Sequence, residues 1–203
     1  MPRLFTGLEL PDDIRDDLSG LDLPIGGARW VSWDDYHLTL RFAGDIDPQP
    51  AAEWHRYLED IDVDAFQMKI KGVGVFTEKE PRTLWAGVEA GPELDVLARA
   101  HERAARNAGL GASRQQSKGR AFRPHITLAR LRNPPIERVV RILKKFANFE
   151  SEPFMVTHFS LFSARPGGGG GPYVVEDTFP LLGALSRAGY AGEHREDSAE
   201  ADN

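Results

Sequence analysis

His37-Leu38-Thr39-Leu40 and His125-Ile126-Thr127-Leu128 are two copies of one pattern, each set in a run that reads as a β-strand. Side chains alternate along a strand, so His37 and Thr39 share one face while Leu38 and Leu40 share the other. The second copy repeats this with His125 and Thr127 opposite Ile126 and Leu128. Each strand thus anchors itself by an apolar face and offers an imidazole and a hydroxyl on the reverse. The copies lie too far apart for a short solenoid repeat and suit one unit per lobe of a duplicated fold.

Around these strands the chain alternates strand and helix patterns. Arg3 to Leu10 reads as a strand, followed by a short helix opened by Pro11 and carrying Ile14 and Leu18. Ala28 to Val31 and Tyr36 to Ala43 read as strands, and Trp54, Tyr57, Leu58 and Ile61 fall at helical spacing. Phe66 to Phe76 and Thr83 to Glu89 read as strands separated by a charged turn. Pro92 to Ala108 predicts the longest helix, stopped at Gly109, with Leu94, Leu97, Ala98 and Ala105 on its buried side. A basic, Gln-rich loop from Gly111 to Arg120 precedes the strand Phe122 to Leu131. Pro134 and Pro135 open a helix with Val139, Val140, Leu143 and Phe146 as its apolar face. Phe154 to Ser163 and Tyr173 to Leu181 read as strands joined by the glycine run Gly167 to Gly171.

Turns too short for crossover helices favour antiparallel pairing. The expected fold is therefore α+β, with two mostly antiparallel sheets and helices outside. Residues 1–183 form one domain in this reading, and 184–203, small, polar and acidic, form a disordered tail.

Composition narrows the chemistry. The 203 residues include no cysteine, which removes disulfides, thiolate nucleophiles and cysteine-bound metals. A net charge of −6 argues against coating long duplexes by phosphate neutralisation, yet a local arginine cluster (Arg41, Arg123, Arg130) is enough to hold one phosphate. No run of about 18 apolar residues and no signal-peptide core is present, so a soluble, cytoplasmic, monomeric protein without membrane contact is expected.

Imidazole has a reference pKa of about 6.5, so of two histidines one can serve as acid and the other as base. Such a pair suits a reaction that deprotonates a nucleophile while protonating a leaving oxygen, as displacement at phosphorus does. Thr39 and Thr127 would then donate to the non-bridging oxygens. Metal ligation by His37 and His125 lacks any marked third ligand, a serine hydrolase lacks its Gly-x-Ser-x-Gly elbow, and the glycine run lacks the Lys-Ser/Thr of a phosphate loop. No metal and no cofactor are expected.

The stretches Tyr36-His37-Leu38-Thr39-Leu40-Arg41-Phe42-Ala43-Gly44 and Phe122-Arg123-Pro124-His125-Ile126-Thr127-Leu128-Ala129-Arg130 closely resemble the two signatures of the 2H phosphoesterase superfamily. More narrowly they resemble its bacterial and archaeal RNA 2′,3′-cyclic phosphodiesterases, also called 2′-5′ RNA ligases. The resemblance runs from residue 3 to about 181 and includes Arg3-Leu4-Phe5, Ala28-Arg29-Trp30-Val31, Leu84-Trp85-Ala86-Gly87-Val88 and Phe159-Ser160-Leu161-Phe162. It implies a bilobal α+β fold whose two His-x-Thr units are related by a pseudo-twofold axis around a central cleft, and a metal-independent hydrolysis of terminal 2′,3′-cyclic phosphates to 2′-phosphates, with reversible ATP-independent 2′-5′ joining in some members. The partners it implies are RNA ends or nucleotides bearing a cyclic phosphate, tRNA fragments among them. Carried over, His37 is the general acid, His125 the general base, Thr39 and Thr127 grip the phosphate, and Arg130 adds charge.

On a regular strand Arg130 has the wrong parity to share a face with His125, so a bulge is required to turn it inward. Arg41, by simple alternation, shares the face of His37 and is a second phosphate candidate. His55, His101 and His158 lack a matching threonine and read as surface or satisfied structural residues, His194 falls in the tail, and Phe5 and Phe42 are candidate base-stacking rings. Two rivals stay open: a non-catalytic nucleotide or RNA-end binding module, and a 2H phosphodiesterase for another cyclic phosphate.

Overall fold

The computed structural model describes residues 3–112, 121–164 and 172–183. Most of the basic loop, the glycine run, His194 and the tail from residue 184 lie outside them. The described chain is a mixed α/β fold of nine strands and four helices. The strands are β1 (Arg3–Glu9), β2 (Ala28–Trp30), β3 (His37–Asp45), β4 (Phe66–Val75), β5 (Thr83–Ala90), β6 (His125–Leu131), β7 (Phe154–Val156), β8 (His158–Ala164) and β9 (Tyr173–Pro180). The helices are α1 (Asp12–Ser19), α2 (Pro48–Glu59), α3 (Pro92–Asn107) and α4 (Ile136–Lys145), with a 3-10 turn at Trp33–Asp35.

The two expected sheets are one. All nine strands join a single curled antiparallel sheet in the order β7-β4-β5-β6-β3-β1-β8-β9, with β2 added beside β6. Two four-stranded halves meet at the motif strands through one registered pair, Leu38 opposite Ile126. Both side chains are fully buried, and each contributes roughly 1.5–3 kcal/mol of transfer free energy. Beyond that pair β3 departs, and the edge of β6 is taken up by β2, with Trp30 opposite Ala129 and Ala28 opposite Leu131. The place where the two halves part becomes a cavity.

Each motif strand carries a β-bulge at the same offset. Along β3, Arg41 faces Thr6 and Thr39 faces Gly7, so Leu40 is the extra residue. Along β6, Ala129 faces Leu84 and Thr127 faces Trp85, so Leu128 is the extra residue. A bulge gives two successive residues the same face, and burial follows suit: Leu40 and Arg41 are both buried, as are Leu128 and Ala129.

The helices begin where the sequence signals them. Pro48 and Pro92 open α2 and α3, and Glu93 and Asp95 add negative charge to the first turn of α3, where backbone N–H groups are unpaired. Gly109, at φ 77°, supplies the left-handed residue that ends α3. Trp54 and Leu58 of α2 and Leu94, Leu97 and Ala105 of α3 enter the core. In α4 the buried residues are Val139 and Ile142, while Val140 is 41% exposed; the apolar face is rotated from the one expected. No described helix is long and apolar enough to cross a membrane.

Candidate active site

A cavity of about 460 Å³ opens between the motif strands. His37 and Thr39 of β3, Thr127 and Arg130 of β6, Arg29 and Trp30 of β2, and Tyr173 of β9 are among its lining residues. The bulges explain two of the occupants. Counted past Leu128 and Ala129, Arg130 returns to the face of His125 and Thr127, and the equivalent place on β3 is filled by Phe42, 48% exposed at the cavity wall. Arg130 is held by its Nη1 donating to Thr83 Oγ1 at 3.1 Å.

Arg41 does not reach the cavity, contrary to its expected role. The bulge at Leu40 turns it to the core side, where its guanidinium lies 2.8 Å from Glu102 of α3 and donates to the carbonyls of Phe42, Leu110 and Gly111. In β6 the same place is Ala129, small and fully buried.

Both histidines are oriented the same way. His37 Nδ1 is 2.8 Å from the Asp35 carbonyl and His125 Nδ1 is 2.7 Å from the Arg123 carbonyl. A carbonyl only accepts, so Nδ1 carries the proton and Nε2 is the reactive nitrogen in the neutral ring. In His37, Nε2 sits 3.0 Å from Thr39 Oγ1, which donates to it. Phe5, Phe162 and Tyr173 surround the His37 ring with centroids 4.9, 5.7 and 5.0 Å away.

This apolar enclosure decides the titration. Burial pushes His37 down to about 4, against the opposing pull of the Asp35 carbonyl and carboxylate, while the charges of Arg130 and His125 push the same way as burial. His125 is lowered too, first by burial and then by Arg130. Both rings are therefore neutral bases in the empty site at neutral pH. Extending the Leu38–Ile126 register by one residue sets His37 across from Thr127 and Thr39 across from His125. His125 itself lines an adjoining cavity with Phe76 and Trp85.

Among the described residues no group of three or more His, Cys, Asp or Glu side chains is gathered as a metal site. Other histidines lie elsewhere. His55 Nε2 meets Asp177 at 2.6 Å, His158 lies 3.6 Å from Glu9, and His101 is fully buried against Phe159 with neither ring nitrogen hydrogen-bonded among the described residues. That last finding corrects the satisfied or surface role expected of His101. Tyr173 and Asp35 were not singled out from sequence, and no local pattern marks them.

Comparison with known proteins places this geometry. An RNA 2′,3′-cyclic phosphodiesterase of Aquifex aeolicus is 35% identical over 80% of this chain and 86% of its own length. One from Aeropyrum pernix is 31% identical over 68% of this chain and 75% of its own. The crystal structure of E. coli LigT complexed with 3′-AMP superposes with a TM-score of 0.70 at 25% identity, covering 90% of this chain and 99% of that one. These likenesses define the class first: a phosphoesterase enzyme on a mixed α/β scaffold. Within it, the chain belongs to the 2′-5′ RNA ligase superfamily of 2H phosphoesterases, whose family model matches residues 29–168.

Proposed function

We propose that this enzyme is an RNA 2′,3′-cyclic phosphodiesterase, opening a terminal cyclic phosphate to a 2′-phosphate. The observation that carries the reading is the junction of the two motif strands at Leu38–Ile126, beside a cavity lined by His37, Thr39, Thr127 and Arg130. The relatives that bear this activity by name, and the nucleotide held by E. coli LigT, supply the substrate class.

In this mechanism the cyclic phosphate lies between the strands, with its nucleoside in the cavity lined by Phe42 and Trp30. His125 Nε2 takes a proton from water, whose oxygen bonds to phosphorus. The P–O3′ bond breaks, and O3′ receives the proton of the His37 imidazolium while P–O2′ stays intact. Thr39, Thr127 and Arg130 hold the non-bridging oxygens as their charge grows. The bound phosphate anion provides the counter-charge that the empty site lacks and raises His37 into the range where it is protonated. Substituting a ribose 5′-hydroxyl for water gives 2′-5′ ligation by the same steps, without ATP.

The test is incubation of the purified protein with 2′,3′-cyclic AMP and with an RNA oligomer ending in a 2′,3′-cyclic phosphate, read by phosphorus NMR. A 2′-phosphate product from both is expected. A 3′-phosphate, or turnover of other cyclic phosphates in place of these two, overturns the assignment, and binding without turnover favours a non-catalytic module.

A further inference from the structure

The three rings around His37 are not held alike. Phe5 of β1 and Phe162 of β8 face each other across paired strands inside the sheet. Tyr173 is the first residue of β9, the edge strand, where it lies opposite Ala164. Its backbone N–H donates to a side chain, Asp35 Oδ1, at 2.9 Å. From there the Tyr173 ring stands edge-on to His37, at an interplanar angle of 86°, and edge-on to Phe5 at 78°. The carbonyl of the same Asp35 accepts from His37 Nδ1 at 2.8 Å. Asp35 thus holds the imidazole with its backbone and one wall of the imidazole's enclosure with its carboxylate.

The second motif strand has the first of these contacts without the second. Two residues before His125 stands Arg123, whose carbonyl holds Nδ1 in the same way at 2.7 Å and whose cationic side chain lines the adjoining cavity. The backbone contact is common to both histidines, and the carboxylate belongs to His37. We propose that Asp35 is a positioning residue for the acid, its carboxylate fixing Tyr173 against the His37 ring and placing a negative charge beside the imidazolium.

The division of roles asks for that charge on one side only. A general acid must stay protonated until O3′ departs, inside an enclosure of rings that disfavours the cation. Asp35 favours it, while burial and the charges of Arg130 and His125 on β6 oppose it. Glu9, opposite His37 in β1, is engaged elsewhere: it accepts from Ser160 at 2.6 Å and lies 3.6 Å from His158. Arg29 and Asp34 also line the cavity, and β8 and β9 present the rings of Phe162 and Tyr173. This inference rests on the phosphodiesterase reading for the acid role of His37 and adds the residue that supports it.

The test compares wild type with Asp35→Asn, which keeps an oxygen for the Tyr173 N–H and loses the charge, and Asp35→Ala, which loses both. The residue-35 carbonyl survives in each. Asp35→Ala should lower kcat for 2′,3′-cyclic AMP by roughly 10- to 100-fold, part of what general acid catalysis supplies, with Asp35→Asn between it and wild type. KM should hold, since Thr39, Thr127 and Arg130 keep the phosphate. Turnover of a phosphodiester with a nitrophenyl leaving group, which needs no acid, should stay within about twofold of wild type in both variants. Removing an anion makes an imidazolium easier to deprotonate, so the basic limb of kcat should move to lower pH in both variants. The His37 ring protons should likewise titrate lower by proton NMR, in the free protein and with 2′-AMP bound. Equal losses with the two phosphodiesters, an Asp35→Asn variant indistinguishable from wild type, or an unmoved His37 titration overturns the role of the carboxylate. A wild type that fails to hydrolyse 2′,3′-cyclic AMP sinks the phosphodiesterase reading instead, and the NMR titration then judges Asp35 by itself.

Discussion

Arg41 and Glu102 form an ion pair of 2.8 Å in which both side chains are almost completely buried, tying β3 to α3 directly behind His37 and Thr39. The guanidinium also donates to the carbonyls of Leu110 and Gly111 after α3 ends. Removing one partner of a buried pair strands the other charge in the core, at a cost of about 3–5 kcal/mol. Arg41→Ala should therefore lower unfolding stability by that order in urea titrations. The variant that remains folded should keep its KM for a nucleotide substrate; loss of affinity at unchanged stability would restore the phosphate contact expected from strand alternation.

His101 presents a different stability effect. Burial against Phe159, with no hydrogen-bonding partner for either ring nitrogen among the described residues, pushes it down to about 3. Above about pH 6.5 it is neutral folded and unfolded, and it adds no pH dependence. As pH falls below that value the unfolded chain takes up a proton that the folded chain refuses, so stability drops by about 1.4 kcal/mol per pH unit. His101→Leu should lose less stability than wild type between pH 7 and pH 4.5. Equal losses measured by denaturant titration at the two pH values would show that the ring is not protected from protonation.

The local elements were legible because apolar alternation, helical spacing and proline or glycine punctuation are local signals. The sheet was not, since a single pair, Leu38 with Ile126, decides whether there are one or two sheets, and no local pattern records it. The paired bulges were half legible. In the second copy Leu128 is followed by apolar Ala129, a break in alternation that marks a bulge and rescues Arg130 for the cavity. In the first copy the same place holds Arg41, whose charge suggested the polar face and hid the break. Reading the copies against each other would have moved Arg41 inward and put Phe42 in the cavity.

The four motif residues should separate by role. His37→Ala or His125→Ala removes a proton-transfer partner and should lower kcat by about 10²–10⁴-fold. Thr39→Val or Thr127→Val removes one neutral donor and should cost about 10–10³-fold. A phosphodiester with a nitrophenyl leaving group needs no protonation, so it should restore turnover to the variant lacking the acid, His37→Ala, and not to His125→Ala. Rescue in the opposite sense would exchange the two roles.

Chelation tests the same machinery. Imidazoles, hydroxyls and Arg130 supply acid, base and oxyanion donors from side chains alone, so turnover of 2′,3′-cyclic AMP in EDTA should equal that without it. Activity lost in EDTA and restored by a divalent ion would overturn the metal-independent two-histidine mechanism.

The pH profile should be displaced from that of free imidazole. His37 lies near 4 and His125 below its ordinary value, both through burial, with Arg130 adding to each. The profile of kcat/KM reports the free enzyme, so it should be a bell whose acid limb lies near pH 4 and whose basic limb lies below about 6.5, with both limbs belonging to the coupled pair. The profile of kcat reports the complex, in which the phosphate anion favours the imidazolium, so its limbs should move to higher pH. Arg130→Gln removes a cation that lowers both rings and should shift the kcat/KM bell upward even as its height falls. Proton NMR of the imidazole ring protons checks the cause: His37 should titrate far below neutrality in the free protein and move upward when 2′-AMP is added. A basic limb of kcat/KM above pH 7, or a His37 resonance that titrates at the ordinary value with the site empty, would contradict the apolar enclosure by Phe5, Phe162 and Tyr173 as the source of the shift.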